Sequence, residues 1–233
     1  MTLLANPEQR TPSVNKAALL RQHELFQELD KDACEQIAAY AKIREFRRDA
    51  TIFAKGDPGF CLFAVVRGKV LVTTSSSEGK SAVLNQFEKG DVFGEIALLD
   101  GRPRTGDATA LTDCCLLSLE RRDFIPVLAK KPEIAIKLLE ILSGRLRRTT
   151  EQVEELMFMD LRGRLAKTLL RLTGGAVDGS AELSQSELSQ RVGMSREMIN
   201  RQLQVWSREG ILTLARRRLT VRRPDALEEI AMR

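Results

Sequence analysis

Phe93-Gly94-Glu95-Ile96-Ala97-Leu98-Leu99-Asp100-Gly101-Arg102-Pro103-Arg104-Thr105 is the stretch whose reading decides the rest of the chain. A glycine opens a short helical turn here, and the first N–H groups of such a turn have no partners inside the helix, which suits an anion. Arg104 adds a permanent planar positive fork for a phosphodiester, and the Glu95 carboxylate can accept from a ribose hydroxyl. Together these groups suit a ribose joined to a phosphate. Taken singly, Glu95 and Arg104 fit an ion pair closing a turn between strands just as well. The register of Gly94, Glu95, Pro103 and Arg104 favours the ligand.

Outward from this stretch the pattern is β-rich. From about residue 43 to residue 119, short runs (Thr51 to Phe53, Cys61 to Val66, Val70 to Thr74, Ala82 to Phe87, Cys114 to Leu119) alternate with turn residues. Eight of the fifteen glycines fall here: Gly56, Gly59, Gly68, Gly79, Gly90, Gly94, Gly101 and Gly106. Strands at this spacing, with a glycine at nearly every turn, predict an antiparallel barrel or jelly roll. Before it, Leu20, Leu25, Phe26, Leu29, Ile37 and Ala38 recur at mixed three and four spacing and predict short amphipathic helices that serve as packing.

After Pro132 the period turns helical. Ala135, Leu139, Leu142, Leu146, Thr149, Val153 and Leu156 follow one another in steps of four and three. Such a heptad seam predicts a long helix, about 133–158, that pairs with an identical helix; a helix laid on its own barrel is the alternative. Asp160 ends the seam as a helix cap and marks a hinge. The expected organisation is therefore a β-barrel domain with its leading helices (1–132), a long helix (133–159) and a C-terminal domain (160–233).

The net charge of +5 lies entirely in that last part, which carries 14 Lys and Arg against 9 Asp and Glu, while residues 1–159 carry 23 of each sign. A neutral front joined to a basic last third fits a module that meets nucleic-acid phosphates, although a merely basic surface would look the same. The pattern inside the segment says more. Leu161 to Leu172 reads as one helix, and Ser184 to Val192 as a second, opened by a Ser184/Glu187 capping box. Gly193-Met194-Ser195 makes a turn into a third helix running to about Arg208, the signature of a helix-turn-helix. Ile211 to Leu214 and Leu219 to Val221, with Arg216, Arg217 and Arg218 between them, read as a two-stranded wing. Arg196, Glu197 and Arg201 share a face at the start of the third helix, where a major-groove reader contacts bases. Arginine grips guanine O6 and N7, and glutamate accepts from cytosine N4. Ile199, Leu203 and Trp206 turn inward.

Composition and spacing exclude much else. With 43% hydrophobic and 30% charged residues the balance is globular, and no run of 18 apolar residues exists to span a membrane. The opening MTLLANPEQRTPSVNK lacks a basic start followed by an apolar stretch, so a cytoplasmic protein is expected. Cys34, Cys61, Cys114 and Cys115 form no CxxC pair and read as reduced, mostly buried thiols rather than metal ligands. With His23 the only histidine, placed in a helical segment, neither a catalytic triad nor a histidine metal site is expected, and no enzymatic activity or metal is assigned.

The 93–105 stretch resembles the phosphate-binding cassette of cyclic-nucleotide-binding domains. Over nearly the whole chain, the order barrel, cassette, long helix and winged helix-turn-helix is similar to the cyclic AMP receptor protein family of bacterial transcription regulators, which includes the fumarate-nitrate regulator branch. The resemblance implies an α+β fold: an N-terminal antiparallel jelly roll, a long dimerisation helix and a C-terminal winged helix-turn-helix. It also implies a homodimer, allosterically activated by a cyclic nucleotide, that binds palindromic double-stranded DNA with GTGA-like half-sites and meets RNA polymerase. On this resemblance Glu95 matches the ribose-binding glutamate, Arg104 the arginine on the cyclic phosphate and Thr105 the adjacent hydroxyl residue, with Phe93, Gly94, Ile96 and Ala97 completing the cassette. Arg145, Thr149 and Thr150 fall in the family's base-contacting segment, where the first hydroxyl serves its own subunit's nucleotide and the second reaches the partner's. The implied DNA contacts are Gln185 and Ser186 at the start of one helix, Ser195, Arg196, Glu197 and Arg201 on the next, and Arg217 in the wing.

The chain departs from the family pattern in two places. The loop from Gly174 to Ser180 is short and Gly-rich, so the polymerase-contacting surface of the best-known member does not carry over. The N-terminal segment lacks the cysteine cluster that holds iron–sulfur in the fumarate-nitrate branch. Thr105 resembles a cassette variant associated with cyclic GMP, whereas the Thr149 and Thr150 pair resembles the cyclic AMP arrangement; cyclic AMP is ranked first. A regulator on the same scaffold that answers to another small molecule, or acts without one, remains the alternative. A regulatory subunit of a cyclic-nucleotide-controlled enzyme is disfavoured by the helix-turn-helix.

Overall fold

The computed structural model describes residues 15–27, 29–76 and 81–232; most of the opening segment and Gly79, read above, lie outside the described residues. The chain forms two compact units, Met1–Val72 with Asn85–Leu139, and Thr73–Leu84 with Glu140–Arg233. No helix among the described residues is long and apolar enough to cross a membrane.

Two short helices lead the chain, α1 (Lys16–Leu20) and α2 (Lys31–Tyr40), capped by the side chains of Asn15 and Asp30, which accept from Ala18 N and Ala33 N. All six apolar positions named for this region are buried. The strands follow as β1 (Lys42–Phe46), β2 (Thr51–Phe53), β3 (Cys61–Arg67), β4 (Val70–Ser75), β5 (Ser81–Phe87), β6 (Val92–Phe93), β7 (Asp107–Ala110) and β8 (Cys114–Glu120), with α3 (Glu95–Asp100) between β6 and β7. They make two four-stranded sheets, β1-β8-β3-β6 and β2-β7-β4-β5, the jelly roll that the turn spacing predicts.

Three strands of these two sheets were not foreseen, two for clear reasons. The residues of β1 are mostly exposed and polar, so it lacks an apolar run and is held by pairing Lys42 to Phe46 with Ser118 to Cys114. In β7 the inward residues are Ala108 and Ala110, too small to register as a strand but fully buried among Phe63, Phe87 and Phe93. The third is the two-residue β6 that leads into α3. His23, expected in a helix, sits in the turn after α1. Its Nδ1 lies 2.9 Å from the Leu19 carbonyl and its Nε2 3.0 Å from the Val65 carbonyl of β3, so the ring pins the leading turn to the sheet.

After α4 (Arg121–Lys130), a single helix α5 runs from Pro132 to Phe158. Proline suits its first position because the missing N–H would have no helical partner. Ile134 and Leu138 are buried, whereas Leu139, Leu146, Val153 and Leu156 of the seam stand 63%, 68%, 47% and 61% exposed.

The second unit holds α6 (Leu161–Thr173), β9 (Ser180–Glu182), α7 (Gln185–Val192), α8 (Arg196–Arg208), β10 (Leu212–Ala215), β11 (Arg218–Val221) and α9 (Pro224–Ala231). The wing is a correction to the sequence reading. It has three strands, because Ser180 to Glu182 pair antiparallel with Thr220 to Arg218. Three residues ending in a charge carry no strand pattern of their own. Trp206, Ile199 and Leu203 lie in the core as expected.

Gly68 closes the β3–β4 turn at φ +97°, and a Cβ there would stand 2.6 Å from both the Asp113 carbonyl oxygen and Cys114 Sγ. Gly68→Ala meets both backbone strain and a clash, so a loss of about 2 kcal/mol or more is expected in urea unfolding. An unchanged midpoint would show that this turn does not bear on Asp113 and Cys114.

Candidate functional site

The chemistry of the first unit centres on Arg104, which is only 5% exposed. Its Nη1 donates to the Gly94 carbonyl at 2.7 Å and its Nη2 to the Cys61 carbonyl at 2.7 Å, with Cys61 Sγ at 3.4 Å. The guanidinium lies over the Phe53 ring at 4.2 Å from its centroid, in a cluster where Phe53, Phe63, Phe87 and Phe93 stack. Its Nε is buried with no hydrogen-bond partner among the described residues. Burial pulls the Arg104 pKa below its ordinary value, while nearby Cys61, Glu95 and Asp57 work to hold it up. A cation held this way, by carbonyls and rings and with one N–H left over, can still take an anion as a hydrogen-bonding partner.

Gly94 allows that approach. It caps α3 at φ +79°, and a Cβ there would lie 2.6 Å from Arg104 Nη1. Residues Glu95 to Asp100 then wind into α3, whose C-terminal carbonyls at Leu98 and Leu99 accept from Arg121 Nη1. Gly59 packs so tightly beneath α3 that a Cβ would stand 2.1 Å from the Ala97 Cβ. Glu95 is buried, Ile96 and Thr105 are exposed, and the side chains of Phe93 and Ala97 belong to the core, so these two can offer a ligand only backbone. Cys61 and Phe53 were missed as site residues. Both lie about 40 or more residues from Arg104 in sequence, with nothing local to mark them.

On α5, Thr149 and Thr150 are exposed, and their hydroxyls donate to the Arg145 and Leu146 carbonyls at 3.0 Å each. Arg145 is half-buried. Asp160 is the cap of α6, its Oδ1 accepting from Gly163 N at 2.7 Å. Glu155, missed by the sequence reading, accepts from Lys167 Nζ at 3.1 Å and Arg171 Nη2 at 2.9 Å, bracing α6 against the end of α5.

In the helix-turn-helix, Ser184 Oγ accepts from Glu187 N at 3.1 Å while the Glu187 carboxylate accepts from Ser184 N at 2.5 Å, the expected capping box. Ser195 caps α8 by accepting from Met198 N at 3.2 Å. Arg196, Glu197 and Arg201 are exposed on α8, and Ser186 is exposed on α7. A groove of about 530 Å³ between α8 and the wing is lined by Arg196, Arg216, Arg217 and Arg218. Arg217 turns the wing at φ +58° and its carbonyl accepts from Leu183 N at 3.1 Å. Gln185 does not point free: its amide bonds Asn200 of α8. Among the described residues no three His, Cys, Asp or Glu side chains converge to hold a metal.

A buried arginine behind a glycine-capped turn, together with a basic helix-turn-helix, defines the class of a DNA-binding regulator built on a cyclic-nucleotide-binding domain. Comparison with known proteins agrees. Residues 43–131 match the cyclic nucleotide-binding domain and residues 163–230 the Crp-like helix-turn-helix domain. The chain is 34% identical over 197 residues to a CRP-like cAMP-activated global transcriptional regulator of Mycobacterium tuberculosis, covering 82% of this chain and 88% of that one. It is 32% identical to the cyclic AMP receptor protein of Thermus thermophilus, covering 89% and 96%. Among solved structures it is similar to the c-di-GMP responsive global regulator CLP of Xanthomonas campestris, with TM-score 0.76, 26% identity and coverage of 83% and 99%. The chain belongs to the cyclic AMP receptor protein family of transcription regulators.

The Glu187 carboxyl has a lowered pKa. Burial opposes ionisation, but hydrogen bonds from Ser184 and the charges of Arg217 and Arg191 outweigh it. Stability from this group is therefore complete above the ordinary carboxylate value and is lost as pH falls through the lower folded value. Glu187→Ala should lower the stability of the helix-turn-helix by about 1 kcal/mol at neutral pH, a typical capping effect, and by less at about pH 3.5. Melting curves of both proteins at the two pH values test this; an equal gap at both would exclude the carboxylate as the source.

Proposed function

We propose that this regulator is a homodimer that binds a cyclic nucleotide on the 93–105 segment and, when loaded, grips palindromic DNA with GTGA-like half-sites. The observation that carries the proposal is Arg104: a nine-tenths buried guanidinium, contacted by carbonyls and aromatic faces, with Nε unpartnered, beside the N-terminus of α3. A phosphodiester would supply a full anionic partner with oxygens for the N–H left over. The α3 N–H groups add donors for its oxygens, and Glu95 supplies the acceptor for a ribose hydroxyl.

Cyclic AMP is preferred over cyclic GMP for a chemical reason. With their hydrogens given to the Arg145 and Leu146 carbonyls, the Thr149 and Thr150 hydroxyls can only accept. Adenine presents an amino donor where guanine presents a carbonyl. Thr105 adds a hydroxyl beside the phosphate arginine.

The exposed seam of α5 supports pairing with a second copy, since leaving Leu139, Leu146, Val153 and Leu156 in water forgoes their burial. Asp160 serves as the hinge, with Glu155 as its brace. Control is a population shift: the nucleotide binds the DNA-competent arrangement more tightly, and by linkage DNA tightens nucleotide binding in return. In α8, Arg196, Glu197 and Arg201 read bases, with Gln185, Ser186 and Ser195 at the helix starts and Arg217 on phosphate. Contact with RNA polymerase belongs to the same proposal, without an assigned surface.

Arg104→Ala should cost about 2 to 5 kcal/mol of nucleotide affinity while the protein stays folded. Calorimetry with cyclic AMP, cyclic GMP and cyclic di-GMP measures this and ranks the ligands; undiminished binding by a folded variant would overturn the site.

For DNA, Arg196→Ala should cost about 1 to 3 kcal/mol and relax preference at one base pair of each half-site. Arg217→Ala should weaken all sequences alike and reduce the salt dependence by about one counterion per subunit. Titrations on the palindrome and a scrambled duplex at several salt concentrations separate the two roles. If Arg196→Ala weakened both duplexes equally, α8 would not be reading bases.

A further inference from the structure

Gln185 and Asn200 form a polar pair outside the arginine and glutamate set of the recognition helix. Gln185 is the first residue of α7, Asn200 the fifth of α8, and Gln185 Nε2 donates to Asn200 Oδ1 at 2.9 Å. Asn200 is exposed, one helical turn beyond Arg196 and adjacent to Arg201, while Ile199, Leu203 and Trp206 of the same helix are fully or almost fully buried. It therefore lies on the flank that Arg196 occupies, within reach of the surface α8 offers to DNA.

A carboxamide has two unlike ends, a carbonyl that accepts and an NH₂ that donates. The Gln185 bond turns the accepting end of Asn200 toward α7 and leaves the Nδ2 hydrogens for an outside partner. An unaimed asparagine commonly reads adenine with both ends at once, taking N7 and N6 together. One whose oxygen is already engaged is biased to donate only. In the major groove, guanine offers two acceptors and thymine one, whereas cytosine offers a donor and adenine a donor beside its N7.

We propose that Asn200 is a specificity-determining residue, aimed by Gln185, that selects a keto base (guanine or thymine) over an amino base (adenine or cytosine) at one base pair of each half-site, distinct from the pair read by Arg196. Gln185 is a positioning residue in this scheme. The proposal rests on the reading of α8 as the major-groove helix.

The test measures the affinity of the full-length, cyclic AMP-loaded protein for a palindrome in which each half-site position is varied symmetrically through all four bases. Wild type should show a keto-over-amino preference of about two- to tenfold at one position, the scale of a single neutral hydrogen bond. Asn200→Ala should flatten that position alone. Gln185→Glu is the decisive variant, because a carboxylate only accepts and obliges the Asn200 amide to turn its Nδ2 toward α7 and its oxygen outward. The preference at that position should then invert to adenine or cytosine, an outcome that a merely structural contact between α7 and α8 would not produce. Unchanged base ratios in Gln185→Glu, or an equal loss at every position in Asn200→Ala, would overturn the assignment while leaving DNA reading by α8 intact. A wild-type protein that failed to distinguish the palindrome from a scrambled duplex would overturn both.

Discussion

A guanidinium taken out of water must find acceptors, and Arg104 finds them on two different parts of the chain, the Gly94 carbonyl before α3 and the Cys61 carbonyl at the start of β3. Those bonds, with the Phe53 ring beneath, hold the 93–105 segment against the β-sandwich. The arrangement dictates the residues around it. Gly94 must lack a Cβ because Nη1 occupies its space, and Gly59 must lack one because Ala97 of α3 rests there. Ala108 and Ala110 stay small where the phenylalanines fill the interior. Taking that charge out of water is costly, and the two carbonyls and the Phe53 ring offset part of the cost. The residue proposed above to meet the nucleotide is thus also one that ties the 93–105 segment to the strands behind it.

The second unit solves a different problem, presenting a short helix rigidly on a small core. Caps do much of this. Ser184 and Glu187 satisfy each other's backbone at the head of α7, Ser195 does so for α8, and Asp160 for α6. Since α8 buries Ile199, Leu203 and Trp206, its rotation about its own axis is set by the core, and the bearings of Arg196, Glu197, Asn200 and Arg201 follow from it. The Gln185–Asn200 bond then removes a freedom that the core cannot reach, the flip of one amide. The exposed face of α8 is thus positioned by packing first and by side-chain hydrogen bonding second.

Helix α5 carries two faces with opposite fates. Ile134 and Leu138 are spent on the first unit's interior, while Leu139, Leu146, Val153 and Leu156 of the seam are left uncovered by the chain's own fold. Glu155, near its end, is held by Lys167 and Arg171 across the Asp160 break. Such a bridge ties α6 to the last turn of α5 without making the two one continuous helix.

Much of this architecture is legible in the sequence because it rests on short-range rules. The steps of three and four between Ala135 and Leu156 predict α5, Ser184 followed by Glu187 predicts the head of α7, and the recurrent glycines predict the turns of the jelly roll. The register of Gly94, Glu95 and Arg104 likewise singles out the segment where the structure brings the Arg104 guanidinium onto the Gly94 carbonyl. What tertiary structure alone decided depends on groups brought together from afar. The strands β1, β7 and β9 are made by their pairing partners rather than by their own residues. His23 becomes a fastener only because the Val65 carbonyl lies 42 positions away in sequence, and Cys61 becomes the seat of Arg104 across 43. Periodicity and capping act within a few residues and leave a trace in the local sequence. Hydrogen bonds and ring contacts across the fold obey distance in space, which no local spacing encodes.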